Sequence, residues 1–267
     1  MTPDTLGALP PREIAQQVES LGVVKARLPT VTLVTLAVLA GAFISMGALL
    51  FLVVTTNAGL GFGLTRLVGG VAFSLGLVLV VVAGAELFTG NNLIAMAWAS
   101  GLVDARAVGR NWALAYAGNV VGCLGTVVLV VWADTAALGG GAVGKTAVAV
   151  AGAKAALPML EAFARGVLCN ALVCLAVWLT LGGRSVTDKI LAIVFPITAF
   201  VAMGFEHSIA NWFFLPYGWW LGGDAAVPLA GVWRNLLVVT LGNVVGGTLL
   251  VAGVYWLAYL RGGRPPT

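Results

Sequence analysis

Arg110-Asn-Trp-Ala-Leu-Ala-Tyr-Ala-Gly-Asn-Val-Val-Gly122 returns as Arg234-Asn-Leu-Leu-Val-Val-Thr-Leu-Gly-Asn-Val-Val-Gly246, at an offset of 124. Arg, Asn, Gly, Asn, Val, Val and Gly coincide. A second pair follows the same order. Glu86-Leu-Phe-Thr-Gly-Asn-Asn92 and Glu206-His-Ser-Ile-Ala-Asn211 both read Glu-x4-Asn, at an offset of 120. The chain therefore contains an internal repeat, about 31–133 and 160–260, in a single domain of 267 residues.

Composition says where such a repeat can live. Apolar and aromatic residues make up 60% and charged residues 9%, against about 25% charged in a soluble domain. Too few polar residues remain to cover a soluble globule of this size. A soluble enzyme, a nucleic-acid binder and a disordered chain are excluded. The apolar runs are long and continuous, which favours helices over the alternating segments of about 10 residues in a membrane barrel. The 36 glycines suit close helix packing and broken helices. The net charge of +4 belongs to loops.

Six crossings are expected: 31–56, 67–100, 112–132, 162–181, 190–221 and 233–260. The second and fifth are too long for one straight helix, since about 30 residues would extend some 45 Å against a hydrocarbon core of about 30 Å. Each is interrupted by one of the Glu-x4-Asn segments. Irregular backbone at membrane depth survives only when buried in protein or lining a wet cavity. Three spans per repeat invert the second copy. The expected fold is all-α and polytopic: six transmembrane helices as an inverted three-helix repeat, with broken second and fifth helices. Inverted repeats with broken helices mark a transport path at the midplane. Residues 10–28 are expected to form an amphipathic helix on the membrane surface. Placing both termini in the cytoplasm of an inner or plasma membrane puts nine Lys and Arg inside, Arg264 among them, and five outside.

His207 is the chain's single histidine and sits at a break. Its ordinary pKa of about 6.5 suits proton exchange, and intramembrane ionisable residues point to function. Glu86 and Glu206 read either as proton carriers or, preferably, as helix-break carboxylates accepting hydrogen bonds from amides freed at their own breaks, with Asn91 and Asn211 beside them. Cys123, Cys169 and Cys174 lie in apolar runs with no metal spacing. Trp112, Trp132, Trp212, Trp219, Trp220, Trp233 and Trp256 lie near span ends and read as an interface belt.

The two Glu-x4-Asn segments resemble the signatures of the formate/nitrite transporter family. Gly166-Val-Leu-Cys-Asn-Ala-Leu-Val-Cys-Leu-Ala176 is similar to that family's fourth-helix motif. The resemblance spans roughly residues 10–260. It implies a homopentamer of six-helix protomers with aquaporin-like architecture and one pore per protomer. It implies transport of formate or nitrite, or of hydrosulfide, often with protons, and no cofactor. By motif it assigns His207 and Thr89 to the pore, Lys154 to a vestibule and Asn170 to the Cys-Asn motif. It assigns Phe73, Leu77 and Phe200 to one constriction, and Leu87 and Phe88 to another. Glu206 adjoins the pore histidine.

A mechanism follows as an expectation. Lys154 gathers an anion, apolar constrictions exclude bare charge, and a proton passed near His207 makes a neutral acid that crosses. The rivals are a pH-independent anion channel and an aquaporin-like neutral solute channel. The paired Asn-Pro-Ala signature of the latter is absent from the sequence. A hydrolase is disfavoured because no Gly-x-Ser-x-Gly is present.

Overall fold

A computed structural model describes residues 7–262; Arg264 lies outside them. Every regular element among the described residues is helical. Helix α1 (Pro11–Ala26) begins on a proline, which gives up only an N–H that a first turn leaves unpaired. Helix α2 (Thr30–Thr55) makes the first crossing. Helices α3 (Gly61–Phe73) and α4 (Leu75–Val82) together make the second. After a break come the short helices α5 (Phe88–Asn91) and α6 (Ala95–Ala99), with a 3-10 turn, Asn92–Ile94, between them. Helix α7 (Ala105–Trp132) closes the first half.

The second half repeats the order. Helices α8 (Ala142–Ala155), α9 (Met159–Gly182) and α10 (Val186–Ala202) lead to the second break. Helix α11 (Ser208–Ala226) follows it. Helix α12 (Leu229–Val245), a π-helical stretch Gly246–Gly253 and α13 (Val254–Tyr259) form the last crossing. Five crossings are long and apolar enough to span a bilayer unaided. The fifth in chain order is α10, whose 17 residues extend about 26 Å, with α11 continuing beyond the break.

Both breaks turn at a glycine of positive φ, Gly84 at 84° and Gly204 at 76°. A side chain is strained in that conformation. The repeated Gly-Asn-Val-Val-Gly motif has a packing reason. A Cβ on Gly122 would lie 2.0 Å from the Val38 carbonyl, and one on Gly246 2.1 Å from the Val167 carbonyl. These glycines let α7 press on α2 and α12 press on α9 at backbone contact.

Three expectations change. Helix α1 does not merely lie on a membrane surface. Ile14, Ala15 and Val18 are buried in a cluster with Met96, Trp178 and Val251, while Val24 faces outward. Small side chains at Ala15 and Gly22 let α1 sit against the protein, a contact that burial of apolar area makes favourable. Helix α8 occupies a region where the hydropathy pattern shows no span. It packs against α11, with Ala151 and Ala155 buried beside Leu215 and Leu236. Three of the belt tryptophans instead bond inward: Trp112 Nε1 donates to the Asn91 carbonyl, Trp212 Nε1 to the Tyr116 hydroxyl and Trp256 Nε1 to the Ser100 hydroxyl, at 2.9, 2.8 and 2.9 Å. A partly buried indole N–H usually finds such a partner. Trp132, Trp220 and Trp233 remain exposed.

Candidate functional site

Each break is built by one asparagine from the repeated motif. Asn119 Oδ1 accepts the Phe88 N–H at 2.9 Å, while its amide donates to the carbonyls of Ala37 and Glu86. Asn243 does the same for the Ser208 N–H and for the carbonyls of Gly166 and Glu206. A break in a helix at membrane depth frees polar backbone groups, and these two side chains satisfy several of them. The freed amides therefore do not go to Glu86 and Glu206, as the sequence suggests.

The carboxylates instead take side-chain cations. Lys25 Nζ donates to Glu86 Oε1 at 2.5 Å, and Glu86 Oε2 accepts from Asn91 at 2.8 Å. Lys154 Nζ donates to Glu206 Oε1 at 2.9 Å, and Glu206 Oε2 accepts from Asn211 at 2.7 Å. Asn111 ties Asn91 to the Lys25 carbonyl, and Asn235 ties Asn211 to the Lys154 carbonyl. Lys154 also stands over the Phe214 ring, 5.3 Å from its centroid, a cation–π contact. Buried charges of this kind persist only when paired and hydrogen-bonded. Lys25 carries no sequence-level assignment. Its signal is the repeat itself: Lys25 precedes Lys154 by 129, as Leu36 precedes Arg165, and those two carbonyls accept the N–H of Glu86 and Glu206.

Two cavities open toward the centre from opposite mouths. One, of about 240 Å³, is lined by Lys154, Glu206, Phe73, Phe200, Phe214 and His207, among others. The second, of about 320 Å³, is lined by Lys25, Glu86, Leu77, Val80, Leu87 and Asn91, among others. Phe73 and Phe200 meet edge to face, with centroids 5.6 Å apart, and Phe200 stacks on His207 at 6.1 Å. Phe73, Phe200 and Phe214 form an aromatic cluster in the wall of the Lys154 cavity. Leu77 faces the other mouth together with Leu87. Phe88 lines neither cavity; it packs on Trp112 and Tyr116.

His207 lines the Lys154 cavity, and Thr89, which lines neither cavity, lies against its ring. Thr89 Oγ1 and His207 Nε2 are 3.0 Å apart, and both residues are buried. His207 is also the N-cap of α11, its Nδ1 accepting the Ala210 N–H at 3.1 Å. An imidazole nitrogen that accepts carries no proton. The hydrogen bonds thus assign the neutral tautomer with the proton on Nε2, directed at Thr89. Charging the ring would cost the cap. His207 thus both ends the break and starts α11. Asn170 lies behind Thr89, donating to the carbonyls of Thr89 and Asn243 and to Asn92 Oδ1. It locks the first break to α9 and α12 and lines neither cavity.

The arrangement can gather a small anion beside a lysine, strip it of water between apolar side chains and offer it hydroxyl and imidazole hydrogen bonds at the centre. Comparison with known proteins places it. The family model described as formate/nitrite transporter matches residues 12–257. The chain is 40% identical to the formate channel FocA of Escherichia coli K12, over 94% of each chain. It is 36% identical to the nitrite transporter NirC of the same organism, over 85% of this chain and 83% of that one. A solved pentameric formate channel with formate bound superposes with a TM-score of 0.80 at 40% identity, covering 87% of this chain and 98% of that one. A solved FNT family ion channel gives 0.85 at 32% identity, covering 92% and 98%. This chain is an integral, multi-pass member of the formate/nitrite transporter family.

Proposed function

We propose that this protein carries small monovalent anions of weak acids, formate or nitrite, across the membrane together with a proton. In this reading it is a homopentamer with one path per protomer and both termini in the cytoplasm. The observation that carries the reading is the buried Thr89–His207 pair, with apolar side chains and an ion-paired lysine at each mouth. A bare carboxylate is expensive in such a slit, and desolvation raises the pKa of an acid. An anion drawn from a lysine mouth into the slit gains proton affinity as it loses water. It crosses as the neutral acid, hydrogen-bonded at the centre by His207 Nε2–H and the Thr89 hydroxyl. Because the Nδ1 bond opposes an imidazolium, vestibule water supplies the proton and His207 acts as a fixed donor. Hydrosulfide, which also has a small neutral acid, fits the same path.

The test is uptake of formate, nitrite, hydrosulfide, acetate and lactate into proteoliposomes at two external pH values, with glycerol as a neutral control. The expected result is uptake of the smallest anions, faster at the lower pH. Formate flux indifferent to pH would refute proton coupling, and glycerol flux without anion flux would refute anion transport.

A further inference from the structure

The two mouths carry different charge. The cavity at Lys154 is lined by three cations, Arg66, Lys154 and Arg165, and one carboxylate, Glu206. The cavity at Lys25 is lined by one of each, Lys25 and Glu86. The repeat shows where the difference enters. Position 165 answers to position 36 through the shared carbonyl-to-Glu bond. Leu36 lines the Lys25 mouth where Arg165 lines the other. Twenty residues before each break carboxylate stand Arg66 and Val186, and Val186 is exposed and lines neither cavity.

Arg66 is held in place by the break. Its Nε donates to the Ala202 carbonyl at 3.0 Å and its Nη2 to the Val201 carbonyl at 2.5 Å, which covers the C-terminal end of α10. That end carries partial negative charge and would otherwise face an arriving anion. Two of the five guanidinium donors are used this way in a group that lines the cavity. A Cβ on Gly204 would approach Nη2 to 3.2 Å, so the glycine at the turn also makes room for the arginine. Arg165 pairs with Glu161 at 3.1 Å on its outer side, where both are partly exposed. Glu161 does not line the cavity.

We infer that Arg66 and Arg165 make the Lys154 mouth a capture site for small anions, so that transport saturates at lower concentration from that face than from the other. The inference rests on the anion-transport reading above. Equilibrium across a membrane without gradients requires equal flux in both directions far below saturation. The asymmetry therefore lies in the half-saturation concentration, with a compensating lower maximal rate from the capturing face. One extra unit charge a few ångströms from the anion, in a partly solvated cavity, changes occupancy by roughly 3- to 10-fold at low salt.

Right-side-out and inverted vesicles from the same cells present opposite faces. Initial formate uptake is measured against concentration in both, at zero membrane potential, equal pH and low ionic strength. The expected result is a several-fold difference in half-saturation between the two preparations. Arg165→Gln, which leaves the α10 cap untouched, should shrink the difference by raising the lower value. Arg66→Lys should keep the difference, and the Arg66→Gln, Arg165→Gln double variant should remove it. Size-exclusion chromatography checks assembly of each. Saturable uptake with equal half-saturation in both preparations, or a difference unmoved by Arg165→Gln, would overturn the capture site alone. Absence of formate uptake in either would overturn the anion-transport reading and the inference with it.

Discussion

The two helix breaks are built alike and equipped differently. Asn119 and Asn243 satisfy their backbones in the same way, and a Lys–Glu–Asn–Asn chain runs beside each. Four residues differ in what they contribute. Leu87 stands where the second break has His207, and Thr89 where it has Ile209. The repeat thus supplies a symmetric frame, and the central polar pair is assembled from one residue of each half. A scaffold residue should behave the same when changed in either half. A residue of the path should not.

The largest effect tests the frame. Gly122→Val and Gly246→Val each push a side chain into a carbonyl that even a Cβ would meet near 2 Å. Both should abolish assembled protein, judged by size-exclusion chromatography of detergent extracts. Asn119→Leu and Asn243→Leu should follow, since each orphans a buried amide and two carbonyls, at about 1–3 kcal/mol for an unsatisfied group. Thermal unfolding of the two should fall by similar amounts; a drop confined to one half would break the comparison.

The ion pairs should separate the halves. The Lys154 side chain is 15% exposed and that of Lys25 is 32% exposed. Lys154→Met leaves Glu206 buried without its cation, which costs about 3–5 kcal/mol for a well-buried pair. Lys25→Met should cost less, because its pair is partly solvated. Adding Glu206→Gln to Lys154→Met should recover stability without recovering uptake. Recovery of both would make the pair purely structural.

A smaller change tests the constriction. Phe200→Ala removes the ring that bridges Phe73 and His207. Acetate uptake relative to formate should rise by roughly 10-fold, the lower end of what a steric pocket discriminates. Leu77→Ala, at the other mouth, should raise it too. An unchanged ratio in assembled Phe200→Ala protein would remove Phe200 from the path.

Much of this was legible in the sequence because it is local. The polar segments 86–92 and 206–211 interrupt apolar runs, and the Gly-Asn-Val-Val-Gly copies stand out against them. The ion pairs were hidden for a different reason. The repeat offset is 129 at Lys25 and Lys154, 120 at the carboxylates and 124 at the asparagines, so no single alignment shows all three. Lys25 also ends an amphipathic helix, where a solvated lysine is the ordinary reading. Helix α8 is composed of small residues facing α11, which gives neither a hydropathy peak nor a strong periodicity. The Thr89–His207 contact joins residues 118 apart, and no local pattern announces such a pairing. Phe88, which the family resemblance assigns to a constriction, packs its ring on Trp112 and Tyr116 of α7, a contact across the fold that its sequence neighbours do not announce.

In the proposed mechanism the anion crosses with a proton that His207 does not itself supply. Internal pH and formate content, followed together in proteoliposomes at zero membrane potential, test it most directly in the parent and in His207→Asn. Asparagine is a good N-cap, so α11 should keep its start while the imidazole donor is lost. About one proton should enter with each formate in both proteins, with the variant slower. Formate entry without acidification in the parent would contradict the proton. Acidification lost only in the variant would make His207 the proton carrier.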